Sequence, residues 1–492
     1  MLKLTSRAAG LVAIAGALLA DCSQASSADY LPTCKAIAHA VSNASTVYYP
    51  GDSSGHYAAD NEHWGVTSSA ASACSVEPGS VTDVSKILQI IASTKTPFAV
   101  KGGGHATNPG FSSTRGVQIA MTRFNQVVNN AAAGTVDIGA GLLWDEVYSA
   151  LDGTGQNVVG GRIQGVGVAG VTLGGGYSWK TNQYGLAVDN VVSYNLVLPN
   201  GTVAIVTSAD ADLWFALRGG GNNFGIVTKF ELKSYPQTDV WGGAAHYSSH
   251  YADRLNAAAA KFFEKAPDKK ATVLPSYSNT LTGDIVINLL IFYDGPSPPP
   301  GLFDEFLAIP NEVLSVQTQS FSSFIKSITY QPDGSRIRQT SLPVLQWTAT
   351  LLQVVYNESK YWTPRLAPLE NPPPSLSWQS DDMVPTYLSH GDNSAWPPSR
   401  AKPFLPGALF FSWANQSSDS AMLEAIRQST ATIRAAASAE GQDIADAWEY
   451  PNYAIEDTPL QEMYGVNVAR LRAIHARVDP QNVMKLAGGF KF

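Results

Sequence analysis

The sequence predicts an α+β protein of two lobes, and three observations carry that prediction. At 492 residues the chain exceeds what a single hydrophobic core usually holds. Glycines and short β-branched runs concentrate between about residues 75 and 236, the mark of short strands joined by tight loops. After Pro236 the pattern changes to longer helical periodicities interleaved with apolar strands, and proline clusters at 296–300 and 372–374 punctuate them.

The chain opens with Lys3 and Arg7, an apolar run from Ala8 to Ala20, and then small residues. This is the pattern of a secretory signal peptide, with cleavage expected after Ala20 or Ala25. The run falls short of the roughly 20 apolar residues that cross a bilayer, so no membrane span is expected. Asp21, directly before Cys22, argues against lipoprotein processing. Cleavage after Ala25 leaves Cys34 and Cys74, a pair suited to one disulfide in an oxidising compartment; two free thiols are the alternative. Asn-X-Ser/Thr sequons at Asn43, Asn200, Asn357 and Asn415 agree with export. Asn200 is the least convincing, because "LPNGTV" reads first as a two-residue hairpin turn.

In the first lobe, "SVTDVSKILQIIASTKTPFAV" predicts a helix with Ile87, Ile90 and Ile91 on one face, followed by a short strand. "TVDIGAG", "NVVSYNLVLPNGTVAIVT" and "FGIVTKFELKSYP" predict further strands. In the second lobe "YADRLNAAAAKFFEKA" and "SDSAMLEAIRQSTATIRAAASAEG" predict helices, with strands at "DIVINLLIFY" and "ALFFSWAN". A helix near 463–477 and an extended end complete the chain. Charged residues make up 15%, the net charge is -8 and no basic block occurs, which argues against nucleic acid and for a small or neutral partner.

Three glycine-rich turns carry the chemistry. "KGGGHATNPG" follows the predicted strand; successive N–H groups in such a loop can converge on a phosphate oxygen. No Gly-Lys-Ser/Thr follows, so it is not a P-loop, and the helix and distal acid of a Rossmann fingerprint are missing. "GGRIQGVGVAGVTLGGGYSWK" places Gly165, Gly167 and Gly170 where backbone can lie against a flat ligand. "RGGGNNFGIVT" is the third. One long cofactor explains three such turns better than three unrelated bends do.

These segments in this order resemble the FAD-linked oxidases with a PCMH-type FAD domain, the vanillyl-alcohol oxidase group, and within it the berberine-bridge-enzyme-like secreted oxidases. The resemblance covers roughly residues 35–236 and returns at 445–492. It implies a signal peptide at 1–25, a two-subdomain PCMH-type FAD-binding lobe at 26–236, and an α+β substrate lobe at 237–444 with an antiparallel sheet covered by helices. A C-terminal segment at 445–492 then returns to the FAD domain.

By the same resemblance, His105 is the residue joined covalently to the flavin 8α-methyl carbon; a neutral imidazole held by a fixed loop is a competent nucleophile. Lys101, Gly102, Gly103, Gly104, His105 and Ala106 are implied to form the first phosphate loop. Gly165, Gly167, Gly170, Val171, Thr172 and Gly175 are implied to lie along the diphosphate and ring. Gly225, Ile226 and Val227 are implied to offer backbone groups, although Ile226 and Val227 also read as core strand residues. Asn467 is implied to approach the flavin, against a reading as a helix-surface amide. Ile163 stands where many relatives carry a second, cysteine tether, so a single tether through His105 is expected.

Flavin oxidation needs a hydride acceptor, a proton acceptor and an oriented carbon, and the flavin supplies only the first. "WEYPNYAIED" resembles the family's C-terminal tyrosine motif. On a strand, Tyr450 and Asn452 would share a face and Tyr453 would point oppositely. Tyr450 is therefore the expected general base, with Tyr453 its competitor; either tyrosine could instead be packed with its hydroxyl satisfied. His246 and His250 have i, i+4 spacing but lack the zincin glutamate, so no metal is expected.

The resemblance thus implies a secreted, monomeric oxidase. It would take a hydride from a small-molecule alcohol or secondary metabolite, with a lean toward a hydrophobic one, and pass electrons to O2. An oligosaccharide oxidase acting at the anomeric carbon is the alternative within the class. A secreted ligand-binding flavoprotein without turnover is the alternative outside it.

Overall fold

The computed structural model describes residues 27–265, 268–328, 334–381 and 383–492. The expected signal peptide and Cys22 lie outside the described residues.

The first lobe opens with a four-stranded sheet in the order 46–48, 74–77, 117–120, 98–101. Its last three strands are parallel. The predicted helix forms over Val81–Thr94, capped by the Ser80 hydroxyl accepting from the Asp83 N–H, and it buries Val84, Ile87, Leu88 and Ile91. Cys34, in the helix Leu31–Ala40, and Cys74, in strand Cys74–Glu77, form a disulfide. The strand Phe98–Lys101 ends where the first glycine loop begins, so the loop leaves the carboxyl end of a parallel sheet.

A second sheet of six strands is antiparallel throughout and centres on the long strand Ile226–Pro236. Val191–Val197 and Val203–Val206 form the predicted hairpin in it. The connection differs from the expected two-residue turn: Leu198 N–H donates to the Thr202 carbonyl at 2.8 Å, leaving the three-residue loop Pro199–Gly201. Pro199 presets the first loop position, and Gly201 at φ +87° takes the left-handed closing position of such loops.

The second lobe holds an eight-stranded sheet whose pairings are all antiparallel. Across its centre run Val240–Ser248, Ile285–Tyr293, Ala271–Asn279, Ser375–Ser380, Gly407–Trp413 and Arg336–Ser341. Helices Ala252–Glu264, Ala349–Leu366 and Asp419–Ala439 cover one face. Side chains alternate across a strand, so Tyr277, Trp378, Leu409 and Phe411 fall together on the helix side and are buried. Trp378 Nε1 donates to Ser429 Oγ at 2.9 Å, fixing the long helix Asp419–Ala439 on this face. Full burial of such a side chain stabilises the lobe by about 1.5–3 kcal/mol. The opposite face looks back toward the first lobe.

After that helix the chain passes through 445–459 and ends in the helices Leu460–Tyr464 and Asn467–Val478. No helix among the described residues is long and apolar enough to cross a membrane.

Candidate active site

The first two glycine loops touch backbone to backbone. A Cβ on Gly103 would fall 2.5 Å from the Gly167 Cα, and one on Gly167 would fall 2.4 Å from the Gly103 nitrogen. Only glycine at both positions permits that approach. The crossing borders a cavity of about 750 Å³ between the lobes. Its wall includes Gly102 to Ala106 from the first loop, Gly167, Gly170 and Val171 from the second, and Gly225, Ile226 and Val227 from the third.

His105 stands on this wall with its imidazole stacked on the Trp64 indole, ring centroids 3.8 Å apart and planes 15° from parallel. Trp64 is tied to the same loop, its backbone N–H donating to the Gly104 carbonyl at 3.1 Å. Burial pushes the His105 pKa down to about 3, which keeps the ring neutral and its nitrogen lone pair available.

Other expected positions lie off the wall. Lys101 turns away and donates from Nζ to the Ala59 and Glu62 carbonyls at 2.6 and 2.5 Å, at the carboxyl end of the helix His56–Asn61. Gly165 N–H donates to Asp145 Oδ1 at 2.9 Å. Thr172 is buried, with Oγ1 donating to the Val168 carbonyl. Gly175 packs under Trp396, whose ring would meet a Cβ at 2.3 Å. Asn467 donates from Nδ2 to the Ser394 and Ala395 carbonyls, anchoring the last long helix to that loop.

The segment 449–453 is a turn and not the expected strand. Pro451 has no N–H to give a ladder, and Tyr453 N–H closes back onto the Tyr450 carbonyl at 2.9 Å. Tyr450 and Tyr453 therefore do not point oppositely. Their rings meet edge to face at 4.7 Å and both border the cavity.

Their surroundings differ. The Tyr450 hydroxyl accepts from the Gly176 N–H at 3.2 Å and from Asn452 Nδ2 at 2.9 Å; its ring is 4% exposed, and burial raises its pKa. Asn452 itself abuts Gly174, where a Cβ would meet its Oδ1 at 2.1 Å. The Tyr453 hydroxyl accepts from Arg162 at 2.9 Å, and Arg162 also bridges to Asp381 at 2.9 Å. Burial raises the Tyr453 pKa, while the guanidinium beside it pulls the other way. Burial likewise works against the charge on Arg162, but Asp381 and Tyr453 outweigh it and keep the group cationic.

Arg162 lies in the second glycine stretch, where its only sequence signal is a lone cation among glycines. Trp179, which also borders the cavity, donates from Nε1 to the Arg162 carbonyl at 2.8 Å. Ile163, Asn222 and Phe490 also border the cavity, and Lys491 Nζ donates to Asn222 Oδ1 at 2.8 Å. Among the described residues no group of three potential metal-ligating side chains occurs.

Comparison with known proteins places this geometry. Residues 72–207 match the family model described as FAD binding domain, and 449–489 match the one described as berberine and berberine like. Over 464 residues the chain is 31% identical to the bifunctional solanapyrone synthase of Alternaria solani, covering 92% of this chain and 87% of that protein. The chain belongs to the berberine-bridge-like FAD-linked oxidoreductases.

The oxidoreductase is also 30% identical to an FAD-dependent monooxygenase of Fusarium proliferatum, over 85% of its own length and 84% of the relative's. It is 38% identical to an uncharacterized FAD-linked oxidoreductase of Arthroderma benhamiae, a match spanning about half of each, 51% and 51%. Its fold is that of 6-hydroxy-D-nicotine oxidase of Arthrobacter nicotinovorans, with a TM-score of 0.76 at 20% identity over 91% of this chain and 98% of that one. The fold is shared too with a chitooligosaccharide oxidase, at 0.71, 19%, 95% and 100% in the same order.

The residues present fit FAD. A Cβ position on Gly170 has no atom within 4 Å, so backbone there is open to the cavity, and three glycine loops with a neutral imidazole surround the same space. Such a wall can accommodate a long, flat, anionic cofactor.

Proposed function

We propose that this oxidoreductase is a secreted oxidase that holds FAD covalently through His105 and oxidises a small-molecule alcohol or secondary metabolite. The observation that carries the reading is a single cavity bordered at once by the three glycine loops, His105 and Tyr453.

FAD, when bound, would supply the hydride acceptor and a route for the electron pair to O2, with hydrogen peroxide as the product. Gly102 to Ala106, Gly167, Gly170, Val171 and Gly225 to Val227 would hold it. His105, fixed by the Trp64 stack and kept neutral by burial, provides the nucleophilic nitrogen for the tether. Ile163, on the wall where a second tether would come from, has no nucleophilic atom, which favours a single bond to the chain.

Tyr453 is the favoured base. Its hydroxyl accepts a hydrogen bond from a buried cation, which opposes the upward push of burial and stabilises the phenolate left once its own proton has passed to bulk water. It can then take the proton of a substrate hydroxyl as the neighbouring C–H bond gives up its hydride. Tyr450 accepts two neutral hydrogen bonds and lies deeper; it positions Tyr453 through their ring contact.

Secretion is supported by the Cys34–Cys74 disulfide and by the exposure of Asn43, Asn200, Asn357 and Asn415, the four sequon asparagines. A peroxide-release screen across alcohols, sugars and aromatic metabolites, run with oxygen uptake, tests the oxidase reading. One peroxide per O2 consumed is expected. Turnover seen only with an artificial dye would instead mark a dehydrogenase.

A further inference from the structure

Much of the open face of the eight-stranded sheet is polar where an inward sheet face is usually apolar. Beside one apolar row, Ala244, Leu290 and Leu274, register places three rows that carry polar side chains. His246, Asn288, Ser276 and Gln379 lie side by side across four strands. Ser278, Ser377, Phe410 and Gln339 form the second row, and Ser375, Ser412 and Ile337 the third. All of these border the cavity.

The rows are partly knitted together: Ser278 Oγ donates to Ser377 Oγ at 3.0 Å, and Asn288 Nδ2 donates to Ser278 Oγ at 3.3 Å. Gln339 is not engaged in this way. It is 6% exposed, and its side-chain amide nitrogen is buried without a hydrogen-bond partner among the described residues. A buried donor left unsatisfied is costly, and such a group on a cavity wall is relieved when a ligand brings an acceptor. Among the described residues no Lys, Asp or Glu borders the cavity, and Arg162 there is already paired with Asp381.

We propose that this face is the substrate-recognition surface and that it selects an uncharged substrate bearing several hydroxyl or carbonyl oxygens, with Gln339 as a specificity-determining donor. The proposal rests on the oxidase reading and deepens it, and it replaces the expectation of a hydrophobic metabolite. Phe410, in the middle row, has its ring 6.1 Å from that of Tyr453, so the polar surface runs up to the proposed base. A sugar or a polyhydroxylated aromatic molecule could each present this oxygen pattern.

The test is calorimetric binding to the purified holoenzyme, using cellobiose, the polyhydroxylated aromatic naringenin, the apolar cinnamyl alcohol and the anion cellobionate. At least one of cellobiose and naringenin should bind at least tenfold more tightly than cinnamyl alcohol and cellobionate, and the tighter of the two names the source. Gln339→Leu should weaken that probe by about tenfold, the worth of one satisfied buried donor, with the bound flavin spectrum unchanged. Gln379→Met, in the adjoining row, makes the same test should the first variant fail to fold. Failure of both oxygenated probes to bind, tighter binding of cinnamyl alcohol or cellobionate, or unaltered affinity in the folded variants would overturn the proposal. A colourless protein would instead contradict the flavin reading, independently of how the probes rank.

Discussion

Arg162 donates a hydrogen bond to the Tyr453 hydroxyl at 2.9 Å while its other nitrogen holds Asp381 at the same distance. The arginine comes from a glycine loop of the first lobe and the tyrosine from the C-terminal turn, so the pair exists only when the two segments dock. Its consequence is kinetic. The active form of Tyr453 as a base is the phenolate, so the rate should climb with pH toward the tyrosine pKa. Removing Arg162 takes away the cation that opposes the upward push of burial, so that limb should move to higher pH. Arg162→Leu is expected to shift it and lower kcat/KM about tenfold or more at neutral pH, with Arg162→Lys recovering part of the loss. Tyr453→Phe should cost about a hundredfold or more and remove the limb. An unmoved profile in Arg162→Leu would leave the arginine a purely structural role.

The backbone crossing of the glycine loops predicts two different failures. Gly103→Ala or Gly167→Ala forces a Cβ into opposing backbone and should lower stability by on the order of 1–3 kcal/mol, seen as a lower thermal midpoint of the apoprotein. Gly170→Ala meets no atom within 4 Å, so its apoprotein should melt at or above the wild-type temperature while its flavin content falls. Full flavin loading of Gly170→Ala would remove that residue from the cofactor wall.

Glu449, next to Tyr450, should imprint a pH dependence on stability. Burial pushes its carboxyl from 4.5 up to about 7 even though Arg434 contacts it. The folded chain therefore holds a proton that the unfolded chain releases. This contribution is complete below about pH 4.5 and is lost as pH rises through about 7. Thermal midpoints followed over that window should fall less steeply in Glu449→Gln than in wild type; parallel curves would show that the carboxyl stays ionised.

Cys34 and Cys74 close a sequence separation of 40 residues within the first lobe. Cys34→Ser with Cys74→Ser should destabilise the protein by about 2–4 kcal/mol in denaturant unfolding, since the open loop regains conformational freedom. The double variant should still bind flavin, because neither cysteine borders the cavity.

Much of this fold could be read in the chain. The helix Val81–Thr94 declared itself through Ile87 and Ile91 at its buried stripe, and the strands around the glycine loops through their β-branched runs. The loops gave themselves away because backbone contact such as that of Gly103 with Gly167 leaves no choice of residue. What stayed hidden depends on contacts distant in sequence. The partnership of Arg162 with Tyr453 spans 291 positions. The 450–453 segment was misread as a strand because alternation over four residues cannot distinguish a strand from a turn started by Pro451. Gln339, Ser377 and Gln379 looked like ordinary strand positions until the sheet register put them on one face. Lys101 matched its motif, yet its long side chain found the carbonyls of Ala59 and Glu62.

The proposed covalent hold on the cofactor rests on a bond between His105 and the flavin. Acid precipitation of the purified protein, followed by proteolysis and mass spectrometry of the peptide containing His105, reads that bond. A yellow precipitate with the flavin mass on His105, and a colourless precipitate from His105→Ala, are the expected results. Flavin released entirely into the acid supernatant of the wild-type protein, or carried on another residue, would contradict the assignment.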